Sequence, residues 1–119
     1  MFLLRKVNLS ITNERPKNTG YRFQFITIEN KFIQNKNFKS ELFDFATIKN
    51  TIFCKCNFSR TRFIGTKFDG VFFRKCVFIG EEISFYNAAI DRHLVFDDCE
   101  FEYVEIWNNT KDINEIKKY

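Results

Sequence analysis

Glycine and proline are nearly missing from this 119-residue chain, at four and one residues. That scarcity excludes collagen-like and low-complexity classes, which depend on both. Histidine is limited to His93, and no CxxC pair is present, so the common zinc-binding spacings are missing. No glycine-rich phosphate loop and no nucleophile motif occurs. No apolar run approaches the roughly 18 residues of a membrane span. The opening Met-Phe-Leu-Leu-Arg-Lys has three apolar residues before a charge pair, too few for the core of a signal peptide. The expectation is a cytoplasmic chain with no membrane span, whose four cysteines are free thiols.

What is present is phenylalanine. Aromatic residues make up 18% of the chain, 17 of them Phe, beside 29% charged residues. This is the composition of a folded, soluble chain, and its length predicts a single domain over 1–119. The charge is uneven. Residues 1–80 hold 15 Lys/Arg against five Asp/Glu, and residues 81–119 hold four against ten, so a net +4 conceals a basic portion at +10 and an acidic portion at −6.

The strongest pattern is a period of five. Phe23, Ile28, Ile33, Phe38, Phe43, Ile48, Phe53, Phe58, Phe63, Phe68, Phe73, Phe78 and Ile83 fill 13 of 13 successive slots, although Phe and Ile together make up about a quarter of the chain. Helices and strands repeat at about 3.6 and 2 residues. A period of five describes a chain that turns a corner every five residues and sends one large side chain inward per side. Two residues before the centre the chain prefers a smaller side chain, as in Ala46, Thr51, Cys56, Thr61, Thr66, Val71 and Cys76. These fit a second inward slot beside the corner.

Stretches such as Cys56-Asn-Phe58-Ser-Arg, Thr61-Arg-Phe63-Ile-Gly and Thr66-Lys-Phe68-Asp-Gly resemble the pentapeptide-repeat family. The resemblance covers about 21–106. It implies an all-β fold, a right-handed quadrilateral β-helix of about four coils, with four pentapeptides per 20-residue coil. Residues 20 apart then stack about 4.8 Å apart. After Ile83 the register returns at Phe96, Phe101 and Ile106, offset by 23 from Phe73, Phe78 and Ile83. This predicts a three-residue insertion within 84–93. Solenoid ends need covers. Residues 1–20 are read as an N-terminal cap, with a strand through Val7, Leu9 and Ile11 and a loop over 13–20. Residues 107–119 are read as a C-terminal cap with a short helix through Ile113 and Ile116, started by Thr110 or Asp112 and favoured by Lys117 and Lys118 at its end.

The chemistry-bearing residues divide by slot. Cys56, Cys76 and Cys99 share one small inward column and Cys54 points outward, so the four do not converge on a metal. His93, near Asp91, Asp97 and Asp98, is assigned to a surface loop, since a core packed with Phe offers no pocket for a dyad. No catalytic residue, cofactor or metal is assigned, and an enzyme is not expected.

The outward slots carry the functional expectation. Phe32, Ile52, Phe72 and Val95 fall in one outward column, where polar residues belong, and such an apolar stripe calls for a cover. Lys55, Arg60, Arg74 and Lys75 are grouped with it, and Asp97, Asp98, Glu100, Glu102 and Glu105 make the last coil acidic. Stacking predicts Asp97 over Arg74 and Asp98 over Lys75. The reading is a non-catalytic module of the immunity, inhibitor or adaptor type that offers a rigid face to a protein partner. The resemblance implies an alternative, because some members of the family mimic duplex DNA and bind type II topoisomerases. That role needs a long negative surface, and the first 80 residues are basic. A further alternative is binding of nucleic acid or an anionic surface through the basic two-thirds. Homodimerisation, or cover of the stripe by the N-terminal strand, is compatible with each.

Overall fold

A computed structural model describes residues 5–6, 23–80, 83–102 and 116–118, with the backbone alone at 5–6 and 116–118. Its architecture follows from one backbone rule. From Phe25 to Gly80 every fifth residue has positive φ, between 48° and 68° except for Gly80 at 130°. Each such residue stands two places after an inward Phe or Ile and turns the chain. Where Phe38, Phe43, Phe58 and Phe63 precede the corner, the centre's carbonyl accepts a hydrogen bond from the N–H three residues on, at 3.0–3.2 Å. A positive φ at the third residue gives these corners the type II turn form, which favours Gly and Asn there.

Four corners complete a coil of twenty residues. The strands are β1 Arg5–Lys6, β2 Thr27–Glu29, β3 Lys31–Gln34, β4 Thr47–Cys54, β5 Lys67–Arg74, β6 Val77–Ile79, β7 Ala89–Asp97, β8 Glu100–Glu102 and β9 Ile116–Lys118. All the pairings are parallel, and β3, β4 and β5 are in register at steps of 20, as in Phe32↔Ile52↔Phe72. The result is an all-β solenoid of about four turns, as the five-residue pattern and the family resemblance implied. We number its sides by their centres: side one is Phe23–Phe43–Phe63–Phe85, side two Ile28–Ile48–Phe68–Ile90, side three Ile33–Phe53–Phe73–Phe96 and side four Phe38–Phe58–Phe78–Phe101. Strands β4, β5 and β7 run across sides two and three. Side one is joined by single bridges such as Leu42↔Arg62, and side four by the short β6–β8 pair and similar bridges.

The core is a set of aromatic ladders. Phe23, Phe43, Phe63 and Phe85 stack with centroids 4.8, 5.2 and 4.7 Å apart, and Phe38, Phe58, Phe78 and Phe101 at 5.0, 5.4 and 5.2 Å. Between ladders the rings meet edge to face, as Phe58 does with Phe53 and Phe73 at 5.1 and 5.2 Å. Offset stacking within a column and T-shaped contact across columns are both favourable ring geometries. The small inward slot does more than leave space. Thr61 and Thr66 donate their hydroxyls to the carbonyls of Phe38 and Phe43 at 2.9 and 2.7 Å. Those same carbonyls close the turns below, so each hydroxyl ties one coil to the next.

Several expectations need correction. The slip after Phe78 does total three residues, but it is split. The Arg60 N–H still donates to the Ile79 carbonyl at the regular offset of 19, as Phe38 does to Asn57 one coil below. The Phe63 N–H instead donates to Ser84 at an offset of 21 and Arg62 bridges Ser84 at 22, so two residues enter before 84. The third is a bulge in β7, where Asp69↔Asp91 gives way to Val71↔Leu94. The axial place expected for Ile83 belongs to Phe85, whose larger ring completes the ladder on Phe63. Ile83 drops into the small inward slot and is buried there.

The expected C-terminal helix is also overturned at its end. Ile116–Lys118 is a strand paired with β7 through Leu94↔Ile116, Val95↔Lys117 and Phe96↔Lys118. The open row of N–H and C=O groups along β7 offers a hydrogen-bond ladder, and a cap with dipole contacts offers about 1 kcal/mol each. The rest of that cap, with Ile106, Thr110, Asp112 and Ile113, lies outside the described residues, as do Val7, Leu9, Ile11 and the 13–20 loop. At the other end Arg5–Lys6 pairs with β3 through Arg5↔Lys31 and Lys6↔Phe32.

Truncating an axial ring leaves a cavity between close-packed neighbours. Phe58→Ala and Phe85→Ala are each expected to cost about 3–5 kcal/mol in denaturant unfolding, whereas Phe45→Ala, outside the ladder, should cost far less. A negligible effect at Phe85 would return the axial slot to Ile83.

Candidate protein interface

Side three is the tallest face of the solenoid, because both terminal strands extend it. The sheet order β1-β3-β4-β5-β7-β9 runs along this side. Its outward column reads Phe32–Ile52–Phe72–Val95, with Lys6 and Lys117 at the register positions below and above. Phe32, Ile52 and Phe72 are half-buried and Val95 is buried. The two described residues of β1 lengthen the sheet at its edge by pairing with β3, so they do not lie across the stripe. His93 stands in the β7 bulge, a correction to its placement on a loop, and its ring meets Phe72 edge-on at 5.0 Å.

The charged residues sort by corner. Lys55 and Lys75 occupy successive left-handed positions where side three turns into side four, and both are exposed. Arg74, beside them on the face, pairs with Asp97 at 3.4 Å, in the stacking expected. Arg60 is not with this group. It sits one side on, at the corner after side four, with its Cγ only 2.8 Å from where a Cβ on Gly80 would be. Asp98 takes the corner position above Lys75, while Glu100 and Glu102 lie exposed in β8 on side four. Glu105 lies outside the described residues.

The opposite corner of side three shows why one glycine is needed. Arg92 donates to the side chains of Asp69 and Asn50 and to the Asp69 carbonyl at 3.1 Å, and Asn50 continues to Asn30 at 3.3 Å. This chain of polar contacts passes over Gly70, where a Cβ would lie 2.6 Å from the Arg92 guanidinium and φ is +68°.

Sequence reasoning missed a second surface. The three large hydrophobic residues exposed among those described, Phe25 at 74%, Phe45 at 53% and Tyr86 at 50%, all lie on side one or at its corner with side two. Phe25 and Phe45 hold the left-handed corner position, and their rings stack at 5.3 Å. Phe45 leans over Gly65, whose Cβ would come within 2.7 Å of its ring. The sequence signal for both is their place two residues after the centres Phe23 and Phe43, where a large aromatic side chain has no inward slot. Below them Asp44 is buried and held by Arg62, by Gln24 at 3.3 Å and by the Ile64 N–H at 3.3 Å.

The thiols form a file along the axis. Cys56, Cys76 and Cys99 donate to the carbonyls of Ile33, Phe53 and Phe73 at 3.6, 3.3 and 3.2 Å, as the threonines do on other sides. Hydrogen bonding to Cys56 and Cys99, together with burial, pushes the Cys76 thiol well above its ordinary range. Among the described residues no His, Cys, Asp and Glu group is arranged to hold a metal ion, and no helix is long and apolar enough to cross a membrane.

Residues 53–100 match the family described as pentapeptide repeats, in nine copies. No curated protein and no solved structure matches the chain.

Cys76, protonated and buried, should resist iodoacetamide at neutral pH in the folded protein, whereas half-buried Cys54 should react. Mass spectrometry of the alkylated peptides reads the difference, and equal labelling of both would contradict the inward file. Gly65→Ala should cost roughly 1 kcal/mol from its left-handed backbone, and more if the Phe45 ring cannot shift.

Proposed function

This is a pentapeptide-repeat protein, and from that premise we propose that it is a non-catalytic module of the inhibitor, immunity or adaptor kind, which binds a protein partner through side three. One observation carries the reading: the unbroken outward column Phe32–Ile52–Phe72–Val95, set in the tallest sheet and bordered by the exposed Lys55 and Lys75. An outward apolar ladder is unfavourable in water, and contact with a partner removes it from water. The aromatic ladders beneath fix the backbone of the face before any encounter, so little ordering entropy is lost on binding.

The acidic residues weigh against duplex mimicry. Asp97, Asp98, Glu100 and Glu102 are confined to one coil and do not run along the rod, and Asp97 is tied to Arg74. Binding of phosphate polymers finds cations on three different corners, at Lys55 and Lys75, at Arg60 and at Arg92, with Arg92 engaged by Asp69.

Phe72→Glu tests the reading. Affinity capture from the native cell should retain a protein on the unmodified chain and lose it on the variant, with the far-ultraviolet circular dichroism unchanged. Capture that survives Phe72→Glu counts against side three. Loss of the fold instead assigns the stripe to internal packing.

A further inference from the structure

Resting on the reading of side three as an interface, we propose that its occupant is an acidic amphipathic helix lying along the solenoid axis. The helix would place its apolar ridge on Phe32, Ile52 and Phe72 and its carboxylates on Lys55 and Lys75. Size supplies the first argument. The stripe spans three strand spacings, about 14 Å, and one side is at most about 17 Å wide, since five extended residues reach no further. That area, under about 250 Å², falls well short of the roughly 800 Å² per partner of a standard globular interface. It suits a single helix, about 10 Å across.

Spacing supplies the second. Apolar residues at i, i+4 and i+7 of a helix rise about 10.5 Å at 1.5 Å per residue, close to the roughly 9.6 Å from Phe32 to Phe72. A ridge of helical side chains therefore keeps step with the three half-buried rungs of the ladder.

Charge supplies the third. Lys55 and Lys75 are paired like charges on adjacent coils, an arrangement that is itself destabilising, and neither has an ion pair among the described residues. Asn35 lies below them in the same corner column, and Asp98 above. An incoming carboxylate row removes that repulsion, and a basic row increases it. The Arg74–Asp97 pair and the buried Val95 mark the upper end, so the helix seats on the lower three coils.

The test uses two fluorescent, stapled 15-residue helices with Leu at positions 1, 5, 8 and 12. One carries Glu along a single flank and the other carries Lys there. In anisotropy titrations against the full chain, the Glu helix should bind at least tenfold more tightly than the Lys helix. A Lys55→Glu/Lys75→Glu double variant should invert that preference, and Phe72→Glu should abolish binding of both, with Ile52→Gln as a milder second variant should Phe72→Glu fail to fold. Equal affinity for the two helices, binding that survives both stripe variants, or no binding of either overturns the proposal. If capture in the native cell is nevertheless lost with Phe72→Glu, only the helical, acidic nature of the partner fails and the interface on side three stands.

Discussion

Everything in this fold depends on a left-handed residue recurring every fifth position. Outside glycine that conformation costs on the order of 1 kcal/mol per residue, and from Phe25 to Lys75 it is taken by Phe, Asn, Ser, Lys and Arg as well as by Gly. Each corner also drives one large side chain to the axis, where burying a Phe contributes about 1.5–3 kcal/mol. The inward gain exceeds the corner cost once per pentapeptide, and the ratio holds only while every centre is large. The stacked rings therefore keep the corners in place, and the corners keep the rings 4.7–5.4 Å apart in the two four-ring ladders.

That coupling decides how much of the structure was legible beforehand. Inward positions announce themselves, because the square cross-section is filled by Phe or Ile at the centre and, over 46–76, by Thr, Cys, Val or Ala beside the corner. Hence the side columns and the Phe73–Phe96 and Phe78–Phe101 stacks followed from the five-residue spacing together with the twenty-residue coil that the family resemblance implies. The same regularity misled at Ile83, which matches the period yet yields to Phe85, because ring stacking on Phe63 outweighs sequence phase. The split insertion and the strand at Ile116–Lys118 depend on which backbone edges stand open in three dimensions, and periodicity does not report that. The aromatic corner at Phe25 and Phe45 stayed hidden for a related reason: corner residues are selected for backbone conformation and for contacts with the next coil, as between Phe45 and Gly65.

For the candidate interface, the sequence placed the column Phe32–Ile52–Phe72–Val95 and the Arg74–Asp97 pairing, since both follow from counting coils. It did not show that the two terminal strands join this same side, nor that Arg60 belongs to another corner, nor that His93 packs on Phe72. A rigid prism divides its chemistry by face. Side three is apolar with a basic border, the last coil carries the carboxylates, and the side one–side two corner carries exposed rings. Because the faces share one core, substitutions on one leave the others in position, which makes surface roles separable by mutation.

The most direct measurement of the central claim is a set of nuclear Overhauser contacts between ring protons along side one. Contacts from Phe63 to both Phe43 and Phe85, with Ile83 methyls near the coil below but outside the ring ladder, are the expected result. Contacts joining Phe63 to Ile83 as its axial neighbour, with the Phe85 ring in solvent, would contradict it.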